Sequence, residues 1–84
     1  MTNAITSILS GMGFIHQSIP GRIKFHYAEK NYYFTFDKGG AAFLYLSEPY
    51  NNRGGRFDSL ILSDCINLNE ITETLKNLGK LKNQ

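Results

Sequence analysis

The chain has 84 residues, 42% of them hydrophobic, with six Phe and five Tyr. That is enough apolar mass for one core, and it excludes both a disordered tail and a second domain. A formal net charge of +2 permits contact with phosphate but is not the dense basic stripe of a dedicated nucleic-acid binder.

A lone cysteine, Cys65, excludes an internal disulfide and a multi-cysteine zinc centre, and it fits a reducing compartment. No stretch approaches the ~18 consecutive apolar residues of a membrane span. The start lacks the basic residues and continuous apolar core of a signal peptide. A cytoplasmic location without membrane contact is expected.

Along the chain, Thr2 to Met12 predicts a short helix. Ile5, Ile8, Leu9 and Met12 form one apolar stripe, Thr2 or Asn3 is the candidate cap, and Gly11 and Gly13 are candidate stops. Ile15 to Ile19 reads as an extended lead-in before a Pro20-Gly21 turn. Three strands follow, at about Arg22–Ala28, Asn31–Asp37 and Ala41–Ser47, the first two alternating with period two and the third, apolar on both sides, continuing the sheet. Ser47 to Phe57 contains Pro49, Asn51, Asn52, Gly54 and Gly55 and predicts a long loop, which leads to a fourth strand over Asp58–Cys65. Asn67-Leu-Asn-Glu70 has the spacing of a capping box. It opens a helix whose face carries Leu68, Ile71, Leu75 and Leu78. Gly79 is the expected stop and residues 80–84 the expected frayed tail.

The predicted fold is one α+β domain over residues 1–84. It is a two-layer sandwich in the order α-β-β-β-β-α, with the N-terminal and C-terminal helices packed on one face of an antiparallel sheet of about four strands.

If Glu29-Lys30 forms a two-residue turn, Tyr27 pairs with Tyr32, Phe25 with Phe34 and Ile23 with Phe36 on the core face. The other face then sets Arg22 beside Asp37, Lys24 beside Thr35 and His26 beside Tyr33. In the next hairpin, a two-residue turn buries Phe43 and Tyr45, and a three-residue turn with a glycine bulge buries Ala42, Leu44 and Leu46 instead. Either choice leaves Tyr33 with large apolar neighbours on the face away from the helices.

Sites of chemistry are sparse. His16 and His26 have no second ligand at metal spacing, so no metal is expected. Cys65 has no histidine nearby in sequence and reads as a small buried hydrophobe. The acidic residues are scattered, and no pair has a spacing that suits general acid–base work. Arg53-Gly-Gly-Arg56 is phosphate-friendly but reads more simply as a turn with two solvated arginines.

The segment Gly21-Arg-Ile-Lys-Phe-His-Tyr-Ala-Glu-Lys30, followed by Asn-Tyr-Tyr-Phe34, resembles the first hairpin of cold-shock domains. The resemblance implies a base-stacking platform of Lys24, Phe25, Tyr32, Phe34, Phe43 and Tyr45 for single-stranded nucleic acid. Asn31 and Tyr33 stand where that family has glycines, and Phe25 stands where it has tryptophan. The helix–strands–helix order also resembles double-stranded-RNA-binding folds and the small toxins built on them. The lysine-rich start of their last helix and the toxins' Gly-Ser-His hairpin are both missing.

The expected function is a small non-enzymatic protein-binding module, such as an inhibitor, immunity or adaptor protein, with a larger protein or a second copy as partner. The candidate contact residues are Arg22, Lys24, His26 and Tyr33 on the sheet and Tyr50, Arg53 and Arg56 on the loop. The alternative is a nucleic-acid-binding domain that uses the same residues. No cofactor and no catalytic residue is expected.

Overall fold

The computed structural model describes the backbone of residues 1–49 and 54–82 and the side chains of 1–49 and 54–78. In chain order it contains α1 (Thr2–Gly11), β1 (Ile15–Ile19), β2 (Arg22–Tyr27), β3 (Lys30–Phe36), β4 (Ala42–Pro49), β5 (Arg56–Cys65) and α2 (Leu68–Lys82). The strands form one five-stranded antiparallel meander, β1-β2-β3-β4-β5. The α+β layout and element order are as expected, with five strands rather than four.

The additional strand is β1, the segment expected to be an unpaired lead-in. It pairs antiparallel with β2, from Ile15 opposite His26 to Ile19 opposite Arg22. Its turn is Pro20-Gly21, where proline presets φ and Gly21 adopts φ +77°, a sign of conformation that side chains with a Cβ rarely take. The expected loop is also shorter than its composition implied. Ser47–Pro49 and Arg56–Phe57 belong to the β4–β5 ladder, down to the rung of Pro49 opposite Arg56. Pro49 is tolerated there because the ladder ends at that rung and makes no further demand on its missing N–H.

Each helix presents one apolar stripe. In α1, Ile5 and Leu9 are fully buried and Ile8 and Met12 pack at the margin. Neither Thr2 nor Asn3 caps it; the N-cap position is Met1, without a side-chain cap. Its end is a Schellman arrangement: Phe14 N–H donates to the Leu9 carbonyl, Gly13 N–H donates to that of Ser10, and Gly13 takes φ +80°.

Asn67 caps α2 as expected, its Oδ1 accepting from Asn69 N–H at 2.9 Å and Glu70 N–H at 3.2 Å. Ile71 and Leu75 fill the core, while Leu68 is exposed. The helix does not stop at Gly79 but continues to Lys82, since a single helical glycine costs only about 1 kcal/mol.

Between helices and sheet lie Ile23, Phe25, Tyr32, Phe34, Ala42, Leu44 and Cys65 with the helical residues above. Phe25 is the hub, stacking on Phe14, Tyr32 and Phe34 at 5.1–5.6 Å between centroids. Full burial of each such side chain is worth roughly 1.5–3 kcal/mol.

The β2–β3 turn is Ala28-Glu29, not Glu29-Lys30. Tyr27 pairs with Lys30, Phe25 with Tyr32, Ile23 with Phe34, Lys24 with Tyr33 and Arg22 with Thr35. Moving the turn by one residue shifts the pairing by two, so every side chain keeps its expected face. Asp37 therefore does not meet Arg22. Its carboxylate accepts from Ala41 N–H at 2.9 Å and closes the β3–β4 turn. In that hairpin Ala42, Leu44 and Leu46 face the helices and Phe43 and Tyr45 face away.

Ala28 and Glu29 both take positive φ, +57° and +65°, the backbone of a type I′ turn that favours Asn-Gly. The double substitution Ala28→Asn/Glu29→Gly should raise unfolding stability by about 1 kcal/mol, read as a higher urea midpoint at constant slope. An unchanged or lower midpoint would contradict the turn assignment.

Candidate functional site

The helices cover one face of the sheet and leave the other open, and the pairing arranges that outer face as a grid. One row runs Gln17–Lys24–Tyr33–Tyr45–Leu60 across all five strands. Beside it, toward one end, runs Ile15–His26–Asn31–Ser47–Asp58, and toward the other runs Ile19–Arg22–Thr35–Phe43. Basic groups thus alternate along β2 at Arg22, Lys24 and His26, all exposed, while rings occupy β3 and β4.

Tyr33 is the centre of this grid and is only 9% exposed. No helix covers it. Arg22 places its guanidinium 4.6 Å from the Tyr33 ring centroid on the β2 side. Tyr45 stacks on it at 5.0 Å and 16° on the β4 side. The Tyr33 hydroxyl donates to Asp58 Oδ2 at 2.9 Å, which ties β3 to β5 over the top of β4. Arg56 fixes the same end of the face, donating from Nε to Ser47 Oγ at 2.9 Å and from Nη2 to the Ser47 carbonyl at 3.0 Å.

Arg22, Tyr33, Ser47, Arg56 and Asp58 help to bound a concave groove of about 600 Å³. Arg22, Lys24, His26, Tyr33 and Arg56, five of the sequence-predicted contact residues, all line it. Tyr50 and Arg53, the other two, lie outside the described residues. Tyr33 forms the floor of the groove and is not a projecting anchor. Gln17 and Asp58 also line the groove and were missed. Gln17 belongs to a strand whose sequence reads as a lead-in, and Asp58 reads in sequence as one of several scattered acids. The alternation of Arg56 and Asp58 at the start of β5 was the available signal.

The cold-shock-like platform does not assemble. Phe25, Tyr32 and Phe34 are buried beneath the helices, and Lys24, Phe43 and Tyr45 lie on the opposite face. The six positions are therefore split between two sides of the sheet.

Proton-handling groups are kept apart. His26 is on the outer face, and His16 is on β1 with Nδ1 3.3 Å from the Phe14 carbonyl oxygen. Cys65 ends β5, four strand spacings or about 19 Å from β1, and is 4% exposed. Its thiol points at the Asn67 carbonyl at 3.4 Å and Glu70 Oε2 at 3.6 Å. Burial pushes the thiol above its ordinary value of 9.0, and the Glu70 carboxylate adds to the shift. Among the described residues no group of three or more His, Cys, Asp or Glu side chains could hold a metal ion. No described helix is long and apolar enough to cross a membrane.

No protein-family model, curated protein or solved structure matches the chain.

Two measurements probe these environments. Cys65 should resist alkylation in the native protein at about pH 8 and react within minutes once unfolded in urea, because it is both protonated and covered. Equal rates in the two states would contradict its burial.

Tyr33 gives a pH test. Burial first, then the hydrogen bond to Asp58, raises its hydroxyl above the ordinary 10.0. The folded state thus holds this proton more tightly than the unfolded one. The resulting stability is complete below about pH 10 and is lost as pH rises through the folded-state value. Tyr33→Phe should cost about 1 kcal/mol at neutral pH for the lost hydrogen bond. The gap to wild type should narrow above about pH 10 in urea titrations, and a gap independent of pH would refute the shift.

Proposed function

We propose that the chain is a small non-enzymatic protein-binding module, of the inhibitor, immunity or adaptor kind, that engages a larger partner through the outer face of its sheet. The observation that carries this reading is a sheet face that no described element covers, whose Tyr33 and Arg22 are already ordered by contacts on that face. An ordered, amphipathic surface loses little side-chain freedom on docking. Arginine and tyrosine are also the residue types most often dominant in binding energy. The body measures 36 by 32 Å across its two larger axes, room for the ~800 Å² per partner of a standard interface.

Nucleic-acid binding through the same residues has less support. The rings nearest the basic strand offer no open face to a base, since Tyr33 is held between Arg22 and Tyr45.

The test is affinity capture from nuclease-treated extract of cells that express the chain. It compares wild type with Lys24→Glu/His26→Ala on the outer face and with Glu73→Gln on the exposed side of α2. A partner should be retained by wild type and by the α2 variant and lost by the outer-face variant. Equal retention by all three would place the interface elsewhere.

A further inference from the structure

The outer groove carries an excess of positive charge, Arg22, Lys24 and Arg56 against Asp58, and its spacing points to a ligand. Arg22, Lys24 and His26 occupy alternate positions of β2 and all lie on the open face, with the Arg22 guanidinium laid over Tyr33. Successive backbone positions of that set are about 6.8 Å apart, twice the rise of a strand residue. An extended polypeptide places its own alternate side chains at that same interval, so a strand-like segment laid along β2 can meet each position in turn.

Among the described residues no carboxylate forms an ion pair with this row. Asp37, the carboxylate expected beside Arg22, is engaged by Ala41 N–H in its turn. Asp58 lines the same groove and accepts from the Tyr33 hydroxyl, keeping its charge but forming no ion pair with Arg22 or Lys24. The ion pair found among the described residues, Lys76 with Glu73, is on α2. Arg22 is held in place over the Tyr33 ring, and Lys24 and His26 stand exposed beside it.

On the β1 side the row is bordered by Gln17 opposite Lys24 and by Ile15 opposite His26. Gln17 supplies an amide that can bond a peptide backbone. Ile15, 76% exposed, supplies an apolar shoulder. A polypeptide can use both, whereas a phosphate chain would use the cations alone.

Resting on the docking reading above, we propose that the groove binds an extended acidic segment of its partner, with Asp or Glu at alternate residues lying along β2 against Arg22, Lys24 and His26. Arg22 and Lys24 supply the fixed charge, and His26 supplies a hydrogen-bonding ring at the end of the row.

The probes are two capped synthetic peptides of equal composition, one alternating Glu and Thr and the other with its Glu residues contiguous, beside an oligothymidylate. Binding is followed by backbone amide shifts of the labelled protein at low and at physiological salt. The alternating peptide should shift β1 and β2 amides and bind about fivefold tighter than its isomer, the value of one aligned exposed ion pair. Lys24→Glu should weaken it about tenfold by turning attraction into repulsion, while Glu73→Gln should leave it unchanged. Higher salt should weaken it because the cations are exposed.

Three results overturn the proposal: equal binding of the two peptides, tighter binding of the oligothymidylate than of either, or no shift on β2. Suppose β2 is silent to the peptides while the captured partner is still lost on Lys24→Glu/His26→Ala. The face then docks a partner of different chemistry, and only this inference fails. If capture is also indifferent to Lys24→Glu/His26→Ala, the docking reading fails with it.

Discussion

A five-stranded meander has two faces, and helices of ten and fifteen residues supply apolar cover for one. Alternation along each strand then decides everything else. The covered face takes the row Ser18–Ile23–Phe34–Leu44–Leu62 and its neighbours. The other face must survive in water. It does so with side chains that are apolar in body and polar at the tip, and they cover one another. Tyr33 reaches near-complete burial in this way, under a guanidinium and a second tyrosine. Its hydroxyl still finds a carboxylate, so no polar atom is stranded.

The sheet edges are managed differently. β5 presents a ten-residue open edge with Leu60 and Ile61 exposed, a template for unwanted strand pairing. Its pairing with β4 carries two register shifts, and Asp64 takes φ +52°. Bulges of this kind twist an edge away from regular addition of another strand. The other edge, β1, is only five residues long, which limits any ladder it could extend. The outer face is thus the broad regular surface left open, and its regularity comes from the central strands.

The sequence made the faces legible before the pairing. Period-two alternation in Arg22–Tyr27 and Tyr32–Phe36 assigns sides without knowledge of register, which is why Arg22, Lys24 and His26 appear together as expected. The register depended on a turn whose residues give no signal. Ala28 and Glu29 adopt positive φ against their own preference, and Glu29-Lys30 was the more polar pair. β1 was obscured because its isoleucines point outward and His16 and Ser18 point toward the helices, the reverse of a core strand. Cap chemistry, by contrast, is local, so Asn67 was readable at once. The burial of Tyr33 was not, since it depends on Arg22, Tyr45 and Asp58 arriving from three other strands.

The contacts that protect the outer face from water are the same ones that aim its charges. Arg22 is positioned by the ring it covers and Arg56 by Ser47, and Asp58 is held by the Tyr33 hydroxyl. No described carboxylate forms an ion pair with the β2 row, and anchoring Arg22 reduces the freedom it would lose on binding. Lys24 and His26 have no such tether and can adjust to a ligand's spacing. A face built for solubility alone would gain more from pairing Arg22 and Lys24 with adjacent acids, as the cross-strand rule favours. Here Asp37 closes a turn and Asp58 accepts from a tyrosine, and neither forms an ion pair with Arg22 or Lys24.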